Sequence, residues 1–317
     1  MITSAATAMS AAETALRLPY LALARHIEAV LRDAEVAVPA RIVQALSGGG
    51  SLFVMPAADG QLAIAKLITF TPGNQQRGLP TIQGDIVVFD VVTGCRLVLL
   101  DGPAVTARRT AAVSLLAAQR LARRTDGPLL IVGAGVQGWA HLEAFHAGLD
   151  LREVWVASRT PASADALVRH AQSQGLRARR VDDANAVLAD CSLVVSATPA
   201  RQVAIWAMPA PDAFVAAVGA FTPGMAEWDA AICRRLAAEG TLVVDTRDAD
   251  HEAGDLLQAG IDVSALPTLA DVVLDPGTWA GGTGAGRQGP VFFKSCGWGG
   301  WDLAAARCIM GVPAPGD

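Results

Sequence analysis

The chain has almost no lysine. Of its 25 basic residues only Lys66 and Lys294 are lysines, and the remaining 23 are arginines. An arginine bias of this kind matches codon usage in a GC-rich genome, but it does not explain which lysines remain. Charge is sparse as well, at 17% of residues with a net −5 and a pI near 5.5. No basic face for nucleic acid is expected from that balance. Long apolar runs are also missing. Mean hydropathy is +0.37, yet the longest uncharged stretches, Val43–Ala58 and Gly127–Leu142, are broken by glycine and too short for a spanning helix. Residues Met1–Ala12 have neither a basic start nor an apolar core, so no signal peptide is expected. The five cysteines (Cys95, Cys191, Cys233, Cys296, Cys308) are odd in number and form no C-x-x-C pair. This argues against a disulfide framework or a zinc site and for a reduced, cytoplasmic protein. The five histidines show no metal-ligand spacing; His141 and His146 are five apart on an expected helix and do not share a face. No metal is expected.

What is abundant is small aliphatic residues. Hydrophobic residues are 52% of 317 while aromatics are 5%, enough for one large domain or two ordinary ones. Up to about residue 103, a helix over Leu21–Arg32 is followed by strand-like pieces at Ser51–Met55, Gln61–Phe70, Gly84–Asp90 and Arg96–Leu100. Turn signals such as Asp59-Gly60 and Thr93-Gly94 separate them. A mixed, largely antiparallel sheet is predicted there. A long helix, Ala104–Arg124, comes next and stops at Asp126-Gly127-Pro128. From Leu129 to about Ala270 short buried strands alternate with helices, the pattern of a doubly wound parallel sheet. After Asp271 a glycine-rich loop precedes one strand, Pro290–Lys294, and one helix, about Asp302–Met310. Too small to stand alone, these are expected to return to the first region.

Leu129–Val132 runs into Gly133-Ala134-Gly135-Val136-Gln137-Gly138, a G-x-G-x-x-G set between a buried strand and a helix. In that context it is the dinucleotide fingerprint. Gly133 makes the tight turn, Gly135 lets the backbone approach a pyrophosphate, and Gly138 lets helix and strand pack. The helix N-terminus faces the phosphates. The next strand ends Val156-Ala157-Ser158-Arg159-Thr160, with no carboxylate to hold both ribose hydroxyls. Ser158, Arg159 and Thr160 suit a 2′-phosphate instead, so NADPH is expected over a weaker NADH.

The fold does not name the reaction. The only tyrosine, Tyr20, precedes the nucleotide motif, so the Tyr-x-x-x-Lys pair of short-chain dehydrogenases is absent. Two basic residues draw attention. Lys66 sits on an otherwise apolar strand, where a lone lysine is ordinarily an edge charge facing solvent. Arg109 lies early in the long helix, where the dipole disfavours a cation and an anion would favour one. It could equally be a surface arginine.

Several short segments then converge on one family. They are Met55-Pro56, Lys66-Leu67-Ile68-Thr69, Pro72-Gly73-Asn74, Gly78-Leu79-Pro80-Thr81, Leu100-Asp101-Gly102, Thr106–Ala112, Gly133–Gly138, Ser196-Ala197-Thr198-Pro199, Val218-Gly219-Ala220 and Phe293-Lys294-Ser295-Cys296-Gly297. In that order the sequence resembles the ornithine cyclodeaminase/mu-crystallin family over nearly its whole length. The resemblance implies an α/β protein with a central Rossmann doubly wound parallel sheet plus a discontinuous α+β substrate and dimerisation domain. On this reading residues 1–118 and 291–317 form the substrate domain and residues 119–290 the Rossmann domain, in a homodimer. It further implies that Arg41, Lys66 and Arg109 hold a substrate carboxylate, with Lys66 catalytic, and that Thr81, Thr110, Thr198 and Ser295 contact the cofactor.

One departure narrows the reaction. Cyclodeaminases of the family carry an Asp where this sequence has Phe221, and Phe cannot move a proton. Glu227 and Asp229 nearby match a structural segment of the family. Members without that Asp resemble imine (ketimine) reductases, whose substrates are cyclic imino acids such as Δ1-pyrroline-2-carboxylate and Δ1-piperideine-2-carboxylate. Cyclodeaminase or alanine dehydrogenase activity, and a non-catalytic binding role, are the alternatives.

Overall fold

The structure, a computed structural model, describes residues 7–199, 202–279 and 289–314. Most of the glycine-rich loop, including Gly281, Gly282, Gly284 and Gly286, lies outside those residues. The chain divides into two compact units: Met1–Arg109 with Trp298–Asp317, and Thr110–Gly297. No helix among the described residues is long and apolar enough to cross a membrane.

In the first unit, strands β1 (Thr7–Ala8), β2 (Ile42–Leu46), β3 (Gly50–Ala58), β4 (Leu62–Phe70), β5 (Ile82–Asp90) and β6 (Arg96–Asp101) form one sheet in the order β1-β6-β5-β4-β3-β2. The pair β1–β6 is parallel and the other pairs are antiparallel. On β4 the buried residues are Leu62, Ile64 and Lys66, every second one, so a strand's period of two turns all three to the same face. Across the sheet Met55, Lys66, Ile86 and Leu100 lie in register as one buried row. Two helices, Tyr20–Arg32 and Gly299–Met310, pack against each other, and the second also packs on β3 and β4. The C-terminal helix is pinned by Arg307, which pairs with Asp59 at 2.6 Å and with Asp33.

The second unit holds seven strands, all parallel: β7 (Leu129–Val132), β8 (Glu153–Ala157), β9 (Arg177–Arg180), β10 (Leu193–Ser196), β11 (Phe214–Ala217), β12 (Thr241–Val244) and β13 (Val291–Lys294). Their order is β12-β13-β11-β10-β7-β8-β9. Strand order reverses between β7 and β10, the switch point beside which open α/β sheets bind ligands.

One expectation fails here. The strand ending in Lys294 does not return to the first region but inserts between β11 and β12. All four of its residues are buried, with Phe292 edge-on to Trp228 at 5.2 Å and Phe293 stacked with Phe214 at 6.4 Å. A strand that is apolar on both faces suits a parallel sheet covered on both sides better than a half-exposed antiparallel one. The expected first-region segment 291–317 is therefore shortened to Trp298 onward, and the other break falls between Arg109 and Thr110, inside the helix Gly102–Leu121.

Candidate active site

Lys66 is not an edge charge. It stands on β4, between β3 and β5, and is 1% exposed. Its Nζ donates to Thr106 Oγ1 at 2.7 Å and to Asp302 Oδ1 at 2.9 Å. Thr106 spends its own proton on the Gly102 carbonyl (2.8 Å), so its lone pairs face the lysine. Arg109, one turn further along the same helix, is also buried, and its Nε lies 3.6 Å from Asp302 Oδ1. Its position beyond the first turn of Gly102–Leu121 removes most of the expected dipole conflict. Arg41 is half-buried just before β2, and its charge reaches Lys66. Burial pushes the Lys66 ammonium down to about 8, against the pull of Asp302; the charges of Arg109 and Arg41 push the same way as burial. Two cations, Lys66 and Arg109, thus share the Asp302 carboxylate.

Asp302 escaped the sequence reading. Its signal was present: it is the only acid in Gly299–Met310, a helix otherwise apolar except for Arg307. A lone carboxylate there has to be paired if it is buried.

The dinucleotide loop is built as its glycines require. Gly133 adopts φ 112°, and a Cβ there would stand 2.5 Å from the Ala197 carbonyl. A Cβ on Gly138 would stand 2.1 Å from the Gly133 carbonyl. At Gly135 the same atom would meet nothing within 4 Å, so the loop is open at the residue that must approach a pyrophosphate. The helix Val136–Gly148 starts there with no side-chain cap, leaving its first N–H groups for an anion. Val136 is exposed, and Gln137 places a buried amide oxygen without a hydrogen-bond partner on the same turn. These residues fit a dinucleotide. Ser158, Arg159 and Thr160 follow β8 directly; Arg159 and Thr160 are exposed, and Thr160 does not spend its side chain capping the helix Pro161–Ser173.

The remaining residues stand on several elements. Thr81 precedes β5 in the first unit and accepts the Thr71 N–H through its carbonyl. Thr110 is buried in the second unit's part of the long helix. Thr198 follows β10, and its N–H donates to Glu227 Oε1 at 2.6 Å. Ser295 follows β13, and its hydroxyl donates to Asp245 Oδ2 at 2.8 Å. Phe221 is half-buried beyond β11. Asp229 caps the helix Ala230–Glu239. His141 is a core residue bonded to Ser114 and the Gln137 carbonyl, with burial pushing it down to about 4. Among the described residues no three His, Cys, Asp or Glu side chains are grouped to hold a metal.

Lys294 anchors a different network. Its Nζ lies 2.7 Å from Asp255 Oδ2, both side chains fully buried. Asp255 Oδ1 accepts the N–H groups of Glu227 and Trp228, and the Glu227 carboxylate accepts those of Thr198 and Gly219. The loops after β10 and β11 are thereby tied to one buried acid.

Comparison with known proteins gives the family and the fold. The profile of the ornithine cyclodeaminase/mu-crystallin family matches residues 5–311. The chain is 38% identical to the Δ1-pyrroline-2-carboxylate/Δ1-piperideine-2-carboxylate reductase of Azospirillum brasilense, over 94% of this chain and 93% of that one. It is 32% identical to the ketimine reductase mu-crystallin of Mus musculus, over 87% and 85%. The fold also matches that of the Thermococcus litoralis Δ1-pyrroline-2-carboxylate reductase, solved with NADH and L-proline. That match has TM-score 0.80 and 24% identity, and covers 96% of this chain and 93% of that one. With the family profile matching residues 5–311 and relatives up to 38% identical over most of both chains, this chain belongs to the ornithine cyclodeaminase/mu-crystallin family.

Proposed function

We propose that the chain is an NADPH-dependent reductase of cyclic imino acids. It converts Δ1-pyrroline-2-carboxylate and Δ1-piperideine-2-carboxylate to L-proline and L-pipecolate. The coarser statement stands on the family: the protein is an NAD(P)H-dependent oxidoreductase acting on C=N/CH–NH bonds. The observation that carries the substrate assignment is the pair of buried cations on one carboxylate. Lys66 and Arg109 both lie against Asp302 Oδ1, with the charge of Arg41 also reaching Lys66, and a bound carboxylate supplies a second anion.

Arg41 and Arg109 hold the substrate carboxylate, and Lys66 lies against both the carboxylate and the imine. Bound NADPH supplies hydride to C2, the imine carbon. The nitrogen must gain a proton as the C=N bond becomes CH–NH, and Lys66 is suited to give it. Held near 8, its ammonium is mostly protonated at neutral pH and more acidic than an ordinary lysine. Phe221 supports reduction over cyclodeamination, since it offers no base for an amino-acid substrate. Ser158, Arg159 and Thr160 support NADPH, with NADH as the weaker substitute. Thr81, Thr110, Thr198 and Ser295 complete the cofactor contacts on this reading. A homodimer is favoured by β2, an edge strand exposed throughout that shows Ile42, Val43 and Leu46 to solvent. Five free cysteines favour the cytoplasm.

The test is absorbance at 340 nm with each imine and each reduced nucleotide. We expect oxidation of NADPH with both rings and slower oxidation of NADH. A protein that binds NADPH but oxidises it with neither imine would overturn the proposal.

A further inference from the structure

We propose that Asp302 is a positioning residue for this reduction: it anchors the Lys66 ammonium and aligns Arg109 beside it, so that one N–H of Lys66 is left to meet the substrate. The proposal rests on the reductase reading for its role in catalysis, but the pairing can be measured without any turnover.

The argument starts from what surrounds Nζ. The sheet offers only apolar neighbours in register, Met55 on β3 and Ile86 on β5; Asp85 pairs with Leu67, on the opposite face. The helix Gly102–Leu121 offers the neutral Thr106 hydroxyl and the Arg109 cation. Ahead of β2 stands Arg41, a second cation. Every one of these leaves the ammonium without charge support or repels it. Among the described residues Asp302 is the carboxylate that pairs with it, at 2.9 Å and fully buried.

Geometry adds direction to charge. An ammonium has three donors. Thr106 and Asp302 take two, which fixes the third. A single oxygen, Oδ1, serves both Lys66 and Arg109, whereas Oδ2 is buried without a hydrogen-bond partner among the described residues. One atom therefore sets the spacing of the two cations. The helix carrying it cannot drift, because Arg307 ties the same helix to Asp59 and Asp33.

The scarcity of lysine makes the test clean. Protein labelled with 13C at lysine Cε gives two lysine resonances, assigned by Lys66→Arg. In the unaltered chain Lys66 is expected to titrate near 8, and Lys294 above the ordinary lysine range. Asp302→Asn should move the Lys66 midpoint down by a pH unit or more and leave the Lys294 signal in place. The alkaline limb of kcat/KM should move by the same amount. Asp302→Glu keeps the charge and should restore both.

An unmoved Lys66 midpoint in a folded Asp302→Asn protein would overturn the proposal. If that variant does not fold, the unaltered chain still decides: a Lys66 already neutral at pH 7 would refute Asp302 as its anchor. A shifted midpoint in a chain that reduces no imine would instead retain the pairing and remove the reductase reading.

Discussion

The two lysines occupy opposite electrostatic settings. Lys66 is buried with a surplus of cations, and burial together with Arg109 and Arg41 lowers its affinity for a proton. Lys294 is buried with a surplus of anions. Desolvation alone would lower it too, but Asp255 first, then Cys296 and Glu227, together outweigh burial and raise it. Burial is shared, so the balance of neighbouring charge is what differs. On the proposed reading the first cluster receives the substrate carboxylate, while the second holds its cation to keep the fold.

Substitution separates the two roles. Lys294→Met leaves the Asp255 carboxylate uncompensated in the interior. It should cost about 3–5 kcal/mol of stability, read by urea unfolding, while any folded enzyme keeps a near-normal kcat. A variant as stable as the parent would break the comparison. Lys66→Met should instead lower kcat/KM about 10²- to 10³-fold by stripping a charged donor from a dry site. Near-normal turnover of either imine would remove Lys66 from the chemistry.

pH sharpens the contrast. kcat/KM should fall as pH rises through about 8, where Lys66 loses its proton. Stability moves the other way. The folded chain holds the Lys66 proton less tightly than the unfolded chain, so that cost is present below about pH 8 and is relieved towards 10.5. For Lys294 the folded value is raised, so its contribution is full below 10.5 and is lost as pH climbs through the folded value. Urea unfolding at pH 8 and pH 9.5 should therefore show a smaller gain for Lys66→Met than for the parent. The smallest effect is expected at the nucleotide end. Arg159→Ala should raise the KM for NADPH about tenfold and leave that for NADH nearly unchanged; equal effects on both would remove the argument for a 2′-phosphate.

Much of this was legible beforehand. The glycine loop announced itself because strand, turn and helix stand together within ten residues, Leu129–Gly138. Lys66 was visible as the odd residue on an apolar strand. Its direction was not, because Ala63, Ala65 and Leu67 make the other face apolar as well. Only pairing with both β3 and β5 shows that β4 is an interior strand. Asp302 lies 236 residues from the lysine it serves, beyond the reach of any local pattern. Val291–Lys294 was recognisable as a strand, but three apolar residues and a lysine do not say which sheet they join. Edge strand β2 was not legible because Ile42-Val43-Gln44-Ala45-Leu46 shows no apolar/polar alternation, as fits a strand exposed throughout.

With Lys66 1% and Lys294 0% exposed, the folded surface carries no lysine amine. A bulky amine-directed crosslinker will find no lysine to capture while the fold is closed, whereas a small acylating reagent following the substrate's path meets Lys66 alone. A Lys294 adduct therefore timestamps an opening of the second unit.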